Sequence, residues 1–127
     1  MKTILYATDC SKTTKTALNH AYEFSLAMNA ELHILHVYDL FPIVTSAVRS
    51  RSSLEKNYHN ERLALLKRYC MKYTNENVAN KFRYHLEKSD TKSKAILDTA
   101  IKIDADLVII GHKDDNLFNL ILPDITK

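Results

Sequence analysis

Three short and nearly continuous apolar runs constrain this chain of 127 residues more than any other feature. They cover residues 3–7, 32–38 and 106–110. A strand with one face in water alternates apolar and polar residues, whereas a strand of a parallel sheet is buried on both faces and reads as a continuous apolar run. The three runs therefore predict three inner strands of a parallel sheet.

A fourth segment predicts a strand at an edge of the same sheet. Phe82, Tyr84 and Leu86 alternate there with Arg83 and His85. Side chains two residues apart lie on the same face of a strand, so the apolar residues share one face and the polar residues share the other. One exposed face is typical of an edge strand.

Segments with helical periodicity separate the four strands. Apolar residues recur every three or four positions in each segment, as they do on one face of a helix. Ser11 is the predicted N-cap of the first helix, and Ser89 or Asp90 is that of the third. The residues that recur at this spacing are Ala17, Ala21, Phe24 and Met28 in the first helix, Leu54, Tyr58, Leu65, Leu66, Tyr69 and Tyr73 in the second, and Ala95, Ile96, Thr99, Ala100 and Ile103 in the third.

The alternation β-α-β-α-β-α-β predicts an α/β fold class. Its three layers are a parallel sheet and the helices on both of its faces, joined by right-handed crossovers. The length fits one domain over residues 1–127, because domains typically contain about 100–150 residues. The connection over residues 39–53 is longer than a routine loop, which predicts a mobile or functional segment.

Composition excludes several classes of protein. Hydrophobic residues make up 46% of the chain and charged residues 26%, as in ordinary globular proteins. The apolar run after Met1 is too short for a secretory signal, and no run is long enough to span a bilayer. Cys10 and Cys70 lack the spacing of a disulfide framework or a zinc site. We therefore expect a cytoplasmic protein with no membrane partner and no metal.

The net charge of +3 is unevenly distributed along the chain. Residues 49–85 contain nine Lys or Arg against three acids. These charges are interleaved with the apolar stripe of the second helix, as on the solvated face of an amphipathic helix, and no base-stacking platform accompanies them. We therefore expect no nucleic-acid partner.

Polar residues cluster where the first predicted strand ends. Ligands of open parallel sheets bind beyond the carboxyl ends of the strands, which makes Thr8 and Asp9 candidate site residues. Asp9 is equally suited to cap the helix that begins near Ser11. Cys10 lies near the same helix terminus, where the helix dipole lowers a thiol pKa. The alternative for Cys10 is a small buried residue, and the adjacent carboxylate opposes thiolate formation.

Three segments resemble the most recognisable segments of the universal stress protein family, in the same order and spacing. They are Thr3-Ile4-Leu5-Tyr6-Ala7-Thr8-Asp9-Cys10-Ser11, Ala30-Glu31-Leu32-His33-Ile34-Leu35-His36-Val37 and Asp104-Ala105-Asp106-Leu107-Val108-Ile109-Ile110-Gly111. The resemblance covers residues 1–111. It implies a Rossmann-like fold of the adenine nucleotide alpha hydrolase type, with strand order 3-2-1-4-5 and frequent dimerisation through the last strand.

In one subgroup of that family the resemblance also implies ATP binding. Ala7, Asp9 and Val37 occupy the positions that hold adenosine, Thr8 lies between two of them, and Gly111 is the first glycine of the phosphate loop. These five residues are the predicted cofactor site.

The phosphate loop of this chain departs from the family pattern G-x2-G-x9-G-S/T. Counted from Gly111, the next two glycines and the hydroxyl residue are replaced by Asp114, Asp124 and Ile125. Glycines let backbone N–H groups turn toward phosphates, and carboxylates repel a tetra-anion. Lys113 offsets part of that repulsion. The sequence therefore predicts that no cofactor is bound tightly, with ATP or AMP as the alternative ligands.

The end of the chain is the second departure. Family members continue with a fourth helix and a fifth strand, and residues 112–127 are too few to supply most of either. The apolar side chains in this segment need a cover, namely Leu117, Phe118, Leu120, Ile121 and Leu122. Either the sequence is part of a longer domain, which we favour, or a homodimer or a partner protein completes the sheet.

The expected function is therefore that of a universal stress protein that works by binding and is not an enzyme. The pair His33 and His36 superficially resembles a nucleotidyl-transferase motif, but side chains three apart on a strand point to opposite faces and cannot share a metal or a phosphate. Two alternatives stay open. One is an adenine-nucleotide sensor with an atypical loop, and the other is the interaction half of a tandem or longer protein.

Overall fold

The four predicted strands lie side by side in one sheet and gain a fifth. The computed structural model describes residues 2–39, 51–111 and 119–121. Its strands are β1 (Thr3–Thr8), β2 (Glu31–Tyr38), β3 (Arg83–Lys88), β4 (Leu107–Gly111) and β5 (Asn119–Ile121). Their spatial order is β3-β2-β1-β4-β5, and β1 to β4 pair in parallel. The predicted fold class and the edge position of β3 are confirmed.

Helices cover both faces of the sheet. They are α1 (Lys15–Ala27), α2 (Arg51–Tyr73), the short α3 (Glu76–Ala79) and α4 (Lys92–Lys102). Even-numbered residues of β1 and β2 pack against α1 and α2, and odd-numbered residues pack against α4. The three-layer prediction is therefore confirmed. α2 begins inside the predicted connection over residues 39–53, and residues 40–50 lie outside the described chain.

β5 runs antiparallel to β4, unlike the other strands. Val108 lies opposite Ile121, and Ile110 lies opposite Asn119. Only residues 112–118 separate the two strands, whereas a parallel crossover needs about a dozen or more residues, so the chain returns in the opposite direction. A short fifth strand is thus present. Residues 117, 118 and 122 lie outside the described chain, and the homodimer or partner that would cover this segment stays a prediction.

The core face of α1 differs from the predicted stripe. Ala17, Leu18, Ala21 and Ser25 are buried, whereas Phe24 is 36% exposed. Met28 lies beyond the end of the helix and is also exposed. Both sets have helical spacing, but the buried set has smaller side chains and lets the helix axis approach the sheet closely. The predicted apolar face of the first helix therefore coincides with the buried face only at Ala17 and Ala21.

The two predicted helix caps differ in detail from those observed. Ser11 occupies the N-cap position of a 3-10 turn over Lys12–Thr14 that leads directly into α1, but its side chain makes no cap bond. α4 begins one or two residues later than predicted, with Thr91 as its N-cap and no side-chain cap bond. The hydroxyl of Ser89 accepts the backbone N–H of Thr91 at 3.0 Å instead, so Ser89 stabilises the turn before the helix.

The amino ends of β1 and β4 are joined by Asp106. Its Oδ2 accepts the backbone N–H groups of Lys2 at 2.7 Å and Thr3 at 3.0 Å. These two backbone hydrogen bonds hold the pKa of the Asp106 carboxyl below its usual value. The segment over residues 104–111, which resembles the family, therefore has a structural role at the amino ends of the strands.

A buried hydroxyl cluster joins the carboxyl ends of β1 and β4 to α2. The hydroxyl of Tyr6 donates to the backbone oxygen of Thr14 at 3.1 Å and lies 3.1 Å from the hydroxyl of Tyr69. The Thr14 hydroxyl lies 2.5 Å from Tyr69 Oη and 3.2 Å from Thr8 Oγ1. Burial raises the pKa of both tyrosines, so the cluster stays neutral.

Gly111 lies against this cluster. A Cβ at Gly111 would lie 2.5 Å from Tyr6 Oη and 3.2 Å from Thr14 Cβ. The backbone of Gly111 does not have a positive φ, so the position requires a glycine because of close approach and not because of backbone conformation. Gly111 is the single glycine of the sequence.

The substitution Gly111→Ala should destabilise the fold by about 1–3 kcal/mol, because the added methyl overpacks a rigid core. Urea unfolding of the variant gives this free energy. In a Tyr6→Phe background the same substitution should cost less, because the nearest obstructing atom is gone. An equal cost in both backgrounds would contradict the contact.

Candidate functional site

A cavity of about 270 Å³ opens where β1, β2 and β4 end. Register brings these ends together, since Thr8 pairs with Gly111 and Ala7 pairs with Leu35. All five residues of the predicted cofactor site line this cavity, namely Ala7, Thr8, Asp9, Val37 and Gly111. The structure therefore brings together residues that lie more than 100 positions apart in the sequence.

Four further residues line the cavity and were not predicted. They are Lys92, Ser93, Ile96 and Ile110. In a β-α unit the helix begins at the carboxyl edge of the sheet, so the first turn of α4 had to lie near the ends of the strands. That topological signal was present in the sequence. No motif marks the segment after β3, so the prediction from sequence rested on the ends of β1, β2 and β4.

The walls of the cavity are largely apolar. Ala7 and Val37 are buried and belong to the cluster of apolar residues between the sheet and α4, against which Ile96 and Ile110 also pack. Ligand sites typically combine such walls with a few polar groups that orient the ligand. Here the charged groups at the rim are Asp9 and Lys92.

The Asp9 side chain forms a local turn before the helix and not the helix cap that was one of its two predicted roles. Its Oδ1 accepts the backbone N–H of Ser11 at 2.9 Å. The same residue lines the cavity, so the turn and a ligand contact would use different oxygens of one carboxylate. The local turn and a ligand contact at Asp9 are therefore compatible.

The surroundings of Cys10 disfavour the reactive thiolate form of its side chain. Its φ is 65°, a conformation that is uncommon for a residue with a side chain. Burial raises the pKa of the Cys10 thiol to about 12 and Asp9 adds to that effect, while Arg62 lowers the pKa by less. The expected pKa depression by the helix terminus is outweighed by desolvation, and the structure favours the alternative of a small residue that packs against the core, although Cys10 is half-buried and not fully buried.

Alkylation of Cys10 by iodoacetamide at pH 8 should be at least about a hundredfold slower than that of free cysteine, since the thiolate is the nucleophile and burial suppresses it. Mass spectrometry of the peptide that contains Cys10 measures the rate. The urea-unfolded protein is the control and should react at the rate of an ordinary thiol. Equally fast alkylation of the folded chain would show that the thiol is exposed or activated.

His33 and His36 lie on opposite faces of β2, as predicted. His36 faces α2, where its Nδ1–H donates to the Thr8 carbonyl at 3.0 Å and its Nε2 accepts from Arg62 Nη2 at 2.5 Å. His33 is stacked on His85, with 2.7 Å between His33 Nδ1 and His85 Nε2. Within residues 2–39 and 51–111, no three His, Cys, Asp or Glu side chains are grouped to hold a metal ion.

The pKa of His36 is lowered by burial and by the charges of Arg62 and Lys92. The unfolded chain therefore takes up a proton at His36 more readily than the folded chain does, and the contribution to stability is complete only above the unfolded pKa of about 6.5. It is lost as the pH falls from that value through the folded pKa.

Stability measured by urea unfolding should therefore decrease from pH 7.5 to pH 5.5, in part through His36. His36→Gln should make this dependence shallower, because the substituted side chain does not titrate. His20→Gln, at an exposed position of α1, is the matched control and should keep the wild-type dependence. Identical pH dependences for the wild type and His36→Gln would refute the assignment.

A comparison of the sequence with models of protein families identifies the family of this chain. The model of the family described as "Universal stress protein family" matches residues 1–127. This chain belongs to the universal stress protein family. The predicted family resemblance is confirmed, and it extends over the whole sequence and not only over residues 1–111. A search of curated proteins finds no match.

Solved structures of universal stress proteins share the fold. A family member from Burkholderia pseudomallei is 23% identical, with a TM-score of 0.65, over 89% of this chain and 83% of the other. A universal stress protein in complex with cAMP is 20% identical, with a TM-score of 0.55, over 84% of this chain and 69% of the other. A universal stress protein from Archaeoglobus fulgidus in complex with dAMP is 18% identical, with a TM-score of 0.55, over 91% of this chain and 84% of the other. These identities support the fold alone.

In the part of the chain that the structure describes, no helix has the length and apolarity needed to cross a bilayer. The positions of Lys113, Asp114, Asp124 and Ile125 lie outside that part, so the predicted loss of the phosphate loop rests on the sequence.

Proposed function

We propose that this universal stress protein takes part in a stress response by binding the adenosine portion of a nucleotide in the cavity at the carboxyl edge of the sheet, and that it does not turn the ligand over. The observation that carries the proposal is that all five predicted site residues, four of which follow from the family resemblance, line one cavity. Residues from β1, β2 and β4 meet there because these strands are adjacent and parallel and end at the same edge of the sheet.

The size and the walls of the cavity support a nucleoside-sized ligand. Its volume of about 270 Å³ lies near the lower end of the roughly 300–1,000 Å³ of typical ligand pockets. Apolar walls from Val37, Ile96 and Ile110 suit a flat purine, and Asp9 offers a carboxylate to an N–H or O–H donor. A base and a sugar are thus better matched than a long polyphosphate.

Tight ATP binding is not part of the proposal. The glycines that would turn backbone N–H groups toward a triphosphate are replaced by acids in the sequence, at Asp114 and Asp124, and these acids repel a tetra-anion. Two solved universal stress proteins of the same fold carry cAMP and dAMP. Both ligands have a single phosphate, which supports a smaller adenine ligand here as well.

Binding without turnover is supported by the state of the nearby nucleophile and base. The Cys10 thiol is protonated at neutral pH because burial raises its pKa to about 12. His36 faces α2, where its ring nitrogens contact the Thr8 carbonyl and Arg62, and it is not among the described residues that line the cavity. General acid–base chemistry requires a group that reaches the substrate in the correct protonation state.

A thermal unfolding scan tests the proposal. Adenosine or AMP at a hundred times its Kd should raise the stability by about 2.7 kcal/mol, which corresponds to an increase in Tm of at least about 5 °C for a chain of this length. Ribose at the same concentration is the ligand control and should leave the Tm unchanged, because it lacks the purine. No Tm increase with either adenine ligand at millimolar concentration would contradict the proposal.

Two matched variants separate the two roles of Asp9. Asp9→Asn keeps an oxygen for the Ser11 N–H but removes the negative charge, so it should preserve the Tm of the free protein and reduce the ligand-induced increase. Asp98→Asn, in a separate groove on the other side of α4, should change neither. An unchanged ligand-induced increase in Asp9→Asn would assign Asp9 to the turn alone.

A further inference from the structure

The cavity contains one cationic side chain among its described lining residues. Lys92 is the first residue of α4 and lines the cavity beside Ser93. Neither residue follows from the family resemblance, which places phosphate binding after β4. The positive charge at this cavity therefore comes from α4 and not from the segment after β4.

Lys92 has no ion pair within residues 2–39 and 51–111. By contrast Lys88, the last residue of β3, lies 3.5 Å from Glu55. Asp9 lines the same cavity, yet its Oδ1 accepts the Ser11 N–H and no ion pair joins it to Lys92 in the described chain. An exposed ammonium beside an apolar cavity is available to a ligand anion.

The surroundings of Lys92 favour an anion further. Ser93 adds a hydroxyl donor at the rim of the cavity. Thr91 makes no side-chain cap bond, so the first amide groups of α4 are not satisfied by their N-cap, and helix N-termini attract negative charge. Besides burial and Arg62, the charge of Lys92 lowers the pKa of His36, which is consistent with a positive field at this edge of the sheet.

We propose that Lys92, assisted by Ser93, binds the phosphate of a nucleoside monophosphate whose adenosine portion occupies the cavity. This inference rests on the proposed function and gives it a ligand class. One lysine complements the charge of a single phosphate group, whereas a triphosphate needs several donors along its length. Lys92 is thus a specificity-determining residue that distinguishes a nucleotide from a nucleoside, in place of the glycine loop that the sequence lacks.

Isothermal titration calorimetry of AMP and adenosine tests this assignment. At low ionic strength the wild-type protein should bind AMP about tenfold more tightly than adenosine, as expected for one charge-assisted contact. Lys92→Ala should bind adenosine as the wild type does and lose the preference for AMP. Lys92→Arg should retain most of the preference, because it keeps the charge.

Lys94→Ala is the matched control. Lys94 lies two residues further along α4 and lines the groove on the other side of the helix, so its removal changes the net charge equally and should leave the ratio of AMP to adenosine affinity unchanged. A wild-type ratio in Lys92→Ala, or an equal loss in Lys94→Ala, would overturn the assignment while leaving adenosine binding intact. If the wild type binds neither ligand, the proposed function fails and the role of Lys92 fails with it.

Discussion

The hydroxyl of Tyr6 is the contact on which the carboxyl edge of the sheet depends. It lies on the face of β1 that is covered by α1 and α2, and it meets the Thr14 carbonyl and the Tyr69 hydroxyl. It also fills the space in which a side chain at residue 111 would lie. One buried oxygen therefore fixes the relative positions of β1, α2 and the end of β4.

The two faces of the sheet differ at this edge. The face covered by α1 and α2 is filled by hydrogen-bonded hydroxyls and by the pair of His36 and Arg62. The face covered by α4, with Ala7 and Val37, opens into the cavity. The hydroxyl cluster, whose buried side-chain oxygens all have hydrogen-bond partners, packs against Gly111 on the face of the sheet opposite the cavity. Such a cluster fixes the backbone that lines the cavity, so a dedicated loop is not needed to position it.

Much of this could be predicted from the sequence, for reasons that differ from residue to residue. Continuous apolar runs specify inner parallel strands, and the ends of those strands specify where Asp9 and Gly111 meet. The direction of β5 could not be read from its apolar residues, because it follows from the length of its connection to β4. The rotation of α1 depends on which side chains pack most closely against the sheet. Lys92 was not predicted, because its place in the lining of the cavity arises from topology and not from a motif.

The central claim is that the cavity beside Gly111 receives an adenine nucleotide, and the sequence offers a direct test because it contains a single glycine. Protein labelled with ¹⁵N-glycine should give one backbone amide resonance, that of Gly111. Titration with AMP should move this resonance in a saturable manner, because the residue lines the cavity. A resonance that stays fixed at millimolar AMP while the protein remains folded would contradict the account.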